Sequence, residues 1–265
     1  MCGIAGYSFS TRSTVDRTLA AQALLAGIAD RGADAVGYAH RGRRGPVTIH
    51  TQRSGASALL DQLQVPASAA QVLLHVRDYT KGHPTIEANN HPIRHGAVVG
   101  IHNGIILNDG ELFARHGFRR AHPAMTVDSE AIFALVEASG GRAHALEELH
   151  GTLATAWLDA RAPQTLFLAR GVGRPLWVGT TAHELFFAST RAALEVVEGA
   201  LRQGLRKREM TEGMLLRIED GRVAGRDRFR PDRSYREESA PSPVRAPHEG
   251  AFCLQRLAAI AAAGA

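Results

Sequence analysis

Cys2 directly follows Met1 in the opening run Met1-Cys2-Gly3-Ile4-Ala5-Gly6. Removal of Met1 would leave a thiol and a free α-amine on one residue, a nucleophile with its own base. An α-amine titrates near ~8 and an unperturbed thiol near ~8.5, so near neutral pH the amine can take the thiol proton, directly or through water. Gly3 would let a substrate carbonyl approach the backbone, and Ile4-Ala5 continue as a strand that fixes the nucleophile on a rigid element. With Met1 retained, Cys2 would instead be a small core residue.

Four further stretches hold residues suited to chemistry, and each has a structural alternative. Arg77, in His75-Val76-Arg77-Asp78-Tyr79-Thr80-Lys81-Gly82, ends a strand and can offer a bidentate fork to a carboxylate, or form a surface ion pair. His102-Asn103-Gly104 is expected at another strand's end. There the Asn103 amide and the Gly104 N–H would be donors for a developing oxyanion, or the pair would simply make a turn. Asp128, in Thr126-Val127-Asp128-Ser129-Glu130, is an N-cap with Thr126 and Ser129 as rivals, or a receiver for a ligand ammonium. Arg31-Gly32-Ala33-Asp34 is a turn that could order a loop above the nucleophile.

Positioning these residues falls to an alternating pattern of elements. Strands are expected at Cys2 to Phe9, through Tyr38, and at Val47 to Thr51, Gln71 to Arg77, Ala97 to His102, Leu153 to Asp159, Thr165 to Arg170, Leu176 to Gly179, Glu184 to Ala188 and Gly213 to Glu219. Helices are expected at Ser13 to Asp30, Ser57 to Gln62, Gly110 to His116, Asp128 to Ala138 and Arg191 to Glu198, with a long polar loop over Asp78 to His95. Strands in meanders with helices grouped between them predict an α+β protein of antiparallel sheets covered by helices. From about Arg226 the chain turns polar and Pro/Ser-rich, which cannot build a core. This predicts a domain over 1–230, then a polar linker and a short apolar segment, with a helix at Ala251 to Ala265, over 231–265.

Composition narrows the setting. At 265 residues with 45% hydrophobic content the chain can bury a full core. The first residues carry no signal-peptide pattern and no apolar run is long enough to span a bilayer, so a cytoplasmic protein without membrane contact is expected. The two cysteines stand at opposite ends of the chain and predict no disulfide framework; Cys253 reads as a buried hydrophobe. The net charge of +5 comes from scattered arginines, with one denser cluster at Arg202 to Arg208 that lacks interleaved aromatics, so no nucleic-acid partner is expected.

Taken together, Met1-Cys2-Gly3-Ile4-Ala5-Gly6, Arg31-Gly32-Ala33-Asp34-Ala35-Val36-Gly37, His75-Val76-Arg77, Asn90-His91-Pro92, His102-Asn103-Gly104-Ile105-Ile106 and Asp128-Ser129-Glu130 resemble class II glutamine amidotransferase domains, which are N-terminal-nucleophile hydrolases. Within that group the likeness is to the glutaminase domains of glucosamine-6-phosphate synthase and amidophosphoribosyltransferase. The resemblance spans about residues 1 to 220 and implies a four-layer α/β/β/α sandwich. It makes Cys2 the nucleophile and its α-amine the base, with Asn103 and Gly104 as the oxyanion hole. Arg77 would hold the α-carboxylate of L-glutamine and Asp128 its α-ammonium. Thr80, His91 and Arg31 would line or order the pocket. It implies neither cofactor nor metal.

Two positions depart from the family pattern. Asp78 stands where the glucosamine-type domain has Trp, and Lys81 where it has His, which implies altered loop contacts. About 35 residues follow Arg230, too few for an acceptor domain, so the expectation is a domain that works alone or passes ammonia to a separate ammonia-accepting synthase chain. The oligomeric state is left open by the sequence. The same fold would also suit an amidase acting on another γ-glutamyl or peptide-like amide, or a non-catalytic glutamine-sensing module.

Overall fold

A computed structural model describes residues 1–43, 45–235, 242 and 244–263. In chain order its elements are β1 (Gly3–Phe9), α1 (Arg17–Ile28), a 3-10 turn (Ala29–Arg31), β2 (Ala35–Gly42), β3 (Thr48–Gln52), α2 (Ala56–Leu60), β4 (Ala69–Arg77), β5 (Ile93–His95) and β6 (Val98–Ile106). There follow α3 (Asp109–His116), α4 (Glu130–Ser139), β7 (Gly151–Asp159), β8 (Thr165–Arg170), β9 (Trp177–Thr180), β10 (Glu184–Ala188), α5 (Arg191–Leu201), β11 (Arg206–Glu209), β12 (Met214–Glu219), β13 (Arg222–Arg228) and α6 (Pro247–Ala263).

The strands form two antiparallel sheets, one ordered β11-β9-β10-β1-β4-β2-β3 and the other β13-β12-β8-β7-β6-β5. Side chains alternate faces along a strand, and the buried clusters follow that alternation. Ala5, Tyr7 and Phe9 of β1 and Val72, Leu74 and Val76 of β4 pack outward, against Leu24, Leu25 and Ile28 of α1 and Leu194 of α5. Ile4 and Leu73 point the other way and meet Val99 and Ile101 of the second sheet. On that sheet's outer face, Val98 and Ile106 pack with Ile132, Phe133 and Val136 of α4. The layers are therefore helix, sheet, sheet and helix, the four-layer sandwich expected.

Local chemistry explains the helices. Asp16 caps α1 by accepting the Leu19 N–H at 2.7 Å. The helix is so rich in Ala and Leu that residues 20–26 are all buried, as a helix apolar on every side requires. Thr190 caps α5 through the Ala193 N–H at 3.2 Å. One fully buried cation ties the sheets together at the end of β4 remote from Arg77. There Arg41 donates to Gln71 Oε1 from Nε (2.9 Å) and Nη2 (2.6 Å), and across the layer to the carbonyls of Asp159 (2.7 Å) and Thr165 (2.9 Å). Burial pushes its pKa down to about 10.

The structure differs from the sequence expectation in three places that bear on the site. Strand β6 runs on through Ile106, so Asn103 and Gly104 lie inside a strand and not at its end. Strand β13, which is not among the strands expected, carries the second sheet through Arg228 into the stretch that turns polar from about Arg226, because its alternating charged side chains leave an edge strand half exposed. The C-terminal helix starts at Pro247, with Cys253 and Leu257 buried beside α1. Much of the polar stretch before it, 236–241 and 243, lies outside the described residues, as do Gly264 and Ala265 at the end of the predicted helix.

Candidate functional site

Strand periodicity brings the reactive residues to one level of the inter-sheet layer. In β1 the register pairs Gly3 with Val76 and Ile4 with His75 of β4. Cys2 therefore shares the inward face of Ile4, and Arg77 shares that of His75 and Leu73. On the second sheet Asn103 shares the inward face of Val99 and Ile101. His75 Nε2 donates to the His102 carbonyl at 3.1 Å, which holds the two strands at matching height.

Cys2 is half-buried, and its Sγ–H donates to the Asp78 carbonyl at 3.4 Å. Burial pushes the thiol pKa up, while the N-terminal ammonium and Arg77 pull it the other way. Arg31 is nearly fully buried and holds the Cys2 carbonyl from Nε at 2.9 Å, with Nη2 3.8 Å from Met1 Sδ. Burial lowers the Arg31 pKa, and the nearby Arg174 charge lowers it further. The N-terminal ammonium is ion-paired with Asp78 Oδ2. Gly32 is required by close approach: a Cβ there would stand 2.4 Å from the Arg77 carbonyl oxygen.

Arg77 is 2% exposed. Its Nη1 donates to Asn90 Oδ1 at 2.6 Å, and its Nη2 donates to the Lys81 carbonyl at 3.0 Å and to that of Gly82. The guanidinium thus shapes the 78–90 loop as well as facing Cys2. Desolvation lowers its pKa, while Cys2, Asp128 and Asp34 raise it electrostatically. Asp128 is 3% exposed, and its Oδ2 accepts the Ile106 N–H at 2.6 Å. It does not cap α4: the residue in the cap position is Ser129, whose hydroxyl goes to His102 Nδ1 at 2.9 Å.

Asn103 is 0% exposed, and neither its Nδ2 nor its Oδ1 has a partner in the protein. Buried amides are almost always hydrogen-bonded, and one left open points to a ligand. Gly104 has φ +150°, and a Cβ there would lie 2.0 Å from the Thr152 carbonyl oxygen, so only glycine fits beside it.

The remaining expected pocket residues are placed unequally. Thr80 is exposed on the loop. His91 is buried, stacked on His75 with ring centroids 4.4 Å apart, and neither ring nitrogen has a protein partner. Desolvation, the largest influence, holds His75, His91 and His102 neutral, with His75 pushed down to about 3. Of the two departures from the family pattern, Lys81 pairs with Asp109 at 2.5 Å and Asp78 takes the N-terminal ammonium. Sequence reasoning gave no site role to Asn90, which binds Arg77, or to Asn89. Asn89 Oδ1 accepts the N–H groups of Thr126 (2.8 Å) and Val127 (3.0 Å) and so fastens the loop beside Asp128. Only the Asn90-His91-Pro92 run could have pointed to them. Among the described residues no group of three His, Cys, Asp or Glu side chains could hold a metal ion, and no helix is long and apolar enough to cross a membrane.

Two facing antiparallel sheets, helices on both outer faces and a cysteine heading a central strand define the N-terminal-nucleophile hydrolase fold. Comparison with known proteins agrees. Residues 80–196 match the family model of a glutamine amidotransferase domain. The glutamine–fructose-6-phosphate aminotransferase (isomerizing) of Shigella flexneri is 33% identical over 207 residues, which is 73% of this chain and 32% of that protein. The enzyme of the same name from Escherichia coli K12 is 32% identical over the same shares. Among solved structures, the glutamine phosphoribosylpyrophosphate amidotransferase of B. subtilis superposes with a TM-score of 0.65 at 18% identity, covering 86% of this chain and 49% of that one. A glutamine aminotransferase class-II domain protein from silicibacter pomeroyi gives 0.54 at 18% identity, covering 87% of this chain and 100% of that one. The chain carries a class II glutamine amidotransferase domain, and it spans about a third of the length of the curated relatives it matches.

Proposed function

We propose that this domain hydrolyses the side-chain amide of L-glutamine to glutamate and ammonia through Cys2, once Met1 has been removed. The observation that carries the reading is the fully buried, unpartnered Asn103 amide, in the same inter-sheet layer and at the same end as Cys2 and Arg77. Burial keeps the thiol protonated at rest, so attack needs a base, and the Cys2 α-amine is the nearest one. The amine takes the thiol proton as sulfur bonds to the amide carbon. Charge gathers on the amide oxygen, where the Asn103 Nδ2–H and the Gly104 N–H would receive it. The new ammonium then protonates the leaving nitrogen, the C–N bond breaks and ammonia departs. Water, deprotonated by the same amine, cleaves the γ-glutamyl thioester, and the thiol is restored.

Arg77 and Asp128 lie within each other's electrostatic reach, which suits the α-carboxylate and α-ammonium of a free amino acid better than an internal peptide amide. In this reading Arg31 orients the nucleophile through the Cys2 carbonyl, and the 78–90 loop, with Thr80 exposed on it, forms the rim. Ammonia would be released as such or pass to an acceptor outside these residues. The N-terminal mass of the protein isolated from its host should lack Met1, and Cys2→Ala should abolish glutamate release. Release at the wild-type rate in that variant would refute the mechanism.

A further inference from the structure

Arg77 and Asp128 sit on different loops, and the two loops are tied together by two routes. One route is neutral. Arg77 Nη1 donates to Asn90 Oδ1 at 2.6 Å, and the Oδ1 of neighbouring Asn89 accepts the Val127 N–H at 3.0 Å. The other route is charged. Arg77 Nη2 donates to the Lys81 carbonyl at 3.0 Å, and the Lys81 ammonium pairs with Asp109 Oδ1 at 2.5 Å. Asp109, the first residue of α3 and 2% exposed, receives Arg120 Nη2 on its other oxygen at 3.1 Å. Arg120 Nη1 then donates to the Val127 carbonyl at 3.0 Å. Both polar groups of the Val127 backbone are thereby fixed, one by each route, and the next residue is Asp128. The loops also touch, since a Cβ on Gly82 would stand 3.0 Å from Val127 Cα.

Arg120 is itself well anchored. Its Cζ lies 4.0 Å from the centre of the Phe113 ring, and its Nη1 also reaches Glu130 Oε2 at 3.0 Å. Glu130 is fully buried, and its Oε1 accepts the Ala121 N–H at 2.6 Å. A nearly buried carboxylate that takes one cation on each oxygen holds both by charge-assisted bonds, stronger than neutral ones. We propose that Lys81, Asp109 and Arg120 are positioning residues that set the separation of Arg77 from Asp128, and so make the site select ligands that carry an α-carboxylate and an α-ammonium together; this rests on the glutaminase reading above. A ligand gripped by both groups feels their separation, and a ligand gripped by one does not. Releasing Lys81 frees the Nη2 side of Arg77 and its loop from Val127, while the Asn89 and Asn90 bonds keep the loop folded.

The test measures binding by calorimetry to Met1-free Cys2→Ala protein, in which no thioester can form. Onto it are added Lys81→Met, Lys81→Arg, Arg120→Gln or, as a control, Arg256→Gln, which breaks the exposed pair with Asp61. The probes are L-glutamine, glutaramate, which lacks the α-ammonium, and 4-aminobutanamide, which lacks the α-carboxylate. L-Glutamine should bind Lys81→Met about fivefold more weakly, the upper range for a half-exposed pair, and Arg120→Gln about tenfold more weakly. Both analogues should bind these variants as they bind the parent. Lys81→Arg should restore most of the affinity, and Arg256→Gln should leave it in place. The Lys81 side chain is 45% exposed, so Lys81→Met decides the matter should Arg120→Gln not fold. Equal weakening of all three probes would mean a merely structural role, and a loss confined to glutaramate would mean that Lys81 attracts the carboxylate directly. Either result overturns the proposal, as does an unmoved glutamine affinity in Lys81→Met. A protein with Cys2 intact that binds glutamine but releases no glutamate refutes the hydrolytic reading instead, and the three affinities still decide the role of Lys81.

Discussion

Asn103→Ala separates a residue kept for a ligand from one kept for the fold. The side chain is fully buried with both amide atoms unpartnered, so truncation breaks no hydrogen bond of the folded protein. Carrying an unsatisfied buried polar group costs about 1–3 kcal/mol, and that penalty disappears in the variant. Against it stands a cavity of roughly 30 Å³, worth about 0.7 kcal/mol at about 24 cal/mol per Å³. The variant should therefore be between neutral and about 2 kcal/mol more stable. Glutamate release should nonetheless fall about 10²- to 10³-fold, the usual effect of removing one oxyanion donor. Urea denaturation midpoints and steady-state glutamate release measure the two quantities independently. Asn103→Leu, which refills much of the space with apolar atoms, should show the same pattern with less cavity. Turnover within a small factor of wild type, or a loss of stability beyond about 2 kcal/mol, would refute the reasoning, since the amide would then serve the core.

Three other outcomes follow from the same geometry. In Asp128→Asn the amide oxygen can still accept the Ile106 N–H, so the fold should persist. Loss of the charge should raise KM for glutamine about tenfold to a hundredfold, measurable by initial rates. Arg41→Leu strands the Gln71 Oε1 and the Asp159 and Thr165 carbonyls in the inter-sheet layer. It should cost about 3–5 kcal/mol in urea unfolding, with the activity of the folded fraction unchanged. Acid should destabilise the protein through its buried histidines. The folded pKa of His75 lies near about 3 against 6.5 for a free imidazole, so below pH 6.5 the unfolded chain binds the extra proton. Stability is full above that pH and falls as pH drops toward 3, by about 1.4 kcal/mol per unit, or about 2 kcal/mol at pH 5, for this residue alone. His91 and His102, also depressed by burial, add in the same direction. Flat stability between pH 7 and 5 would contradict their burial as neutral rings.

What was legible in the sequence was local. Strand periodicity fixed that Cys2 shares a face with Ile4 and Arg77 with His75, and the C-terminal end of β4 and both ends of β8 and β10 follow from the bounds of their apolar runs, whereas β4 starts two residues before the expected Gln71. The α+β class follows from the same alternation. Other features needed the assembled sheets. Asn103-Gly104 reads as a turn because Asn-Gly breaks isolated strands, yet β6 continues through it, paired residue for residue with β7. Strand β13 does not read as a strand because its charged residues gain order only from the hydrogen bonds of β12.

The charge arrangement at the nucleophile is likewise tertiary. The sequence alone determined the reactive pair on residue 2, the strand that bears it and the types of side chain available to a substrate. The tertiary structure decided which of them meet. Asp78 reaches the Met1 ammonium across 77 residues of chain, Ser189 holds the Ile4 N–H across 185, and Arg245, just ahead of the C-terminal helix, arrives from the far end. Hydrophobic patterning specifies which face of an element is buried but not which distant element covers it. That choice is made by shape and burial summed over the whole core, and only the folded chain expresses it.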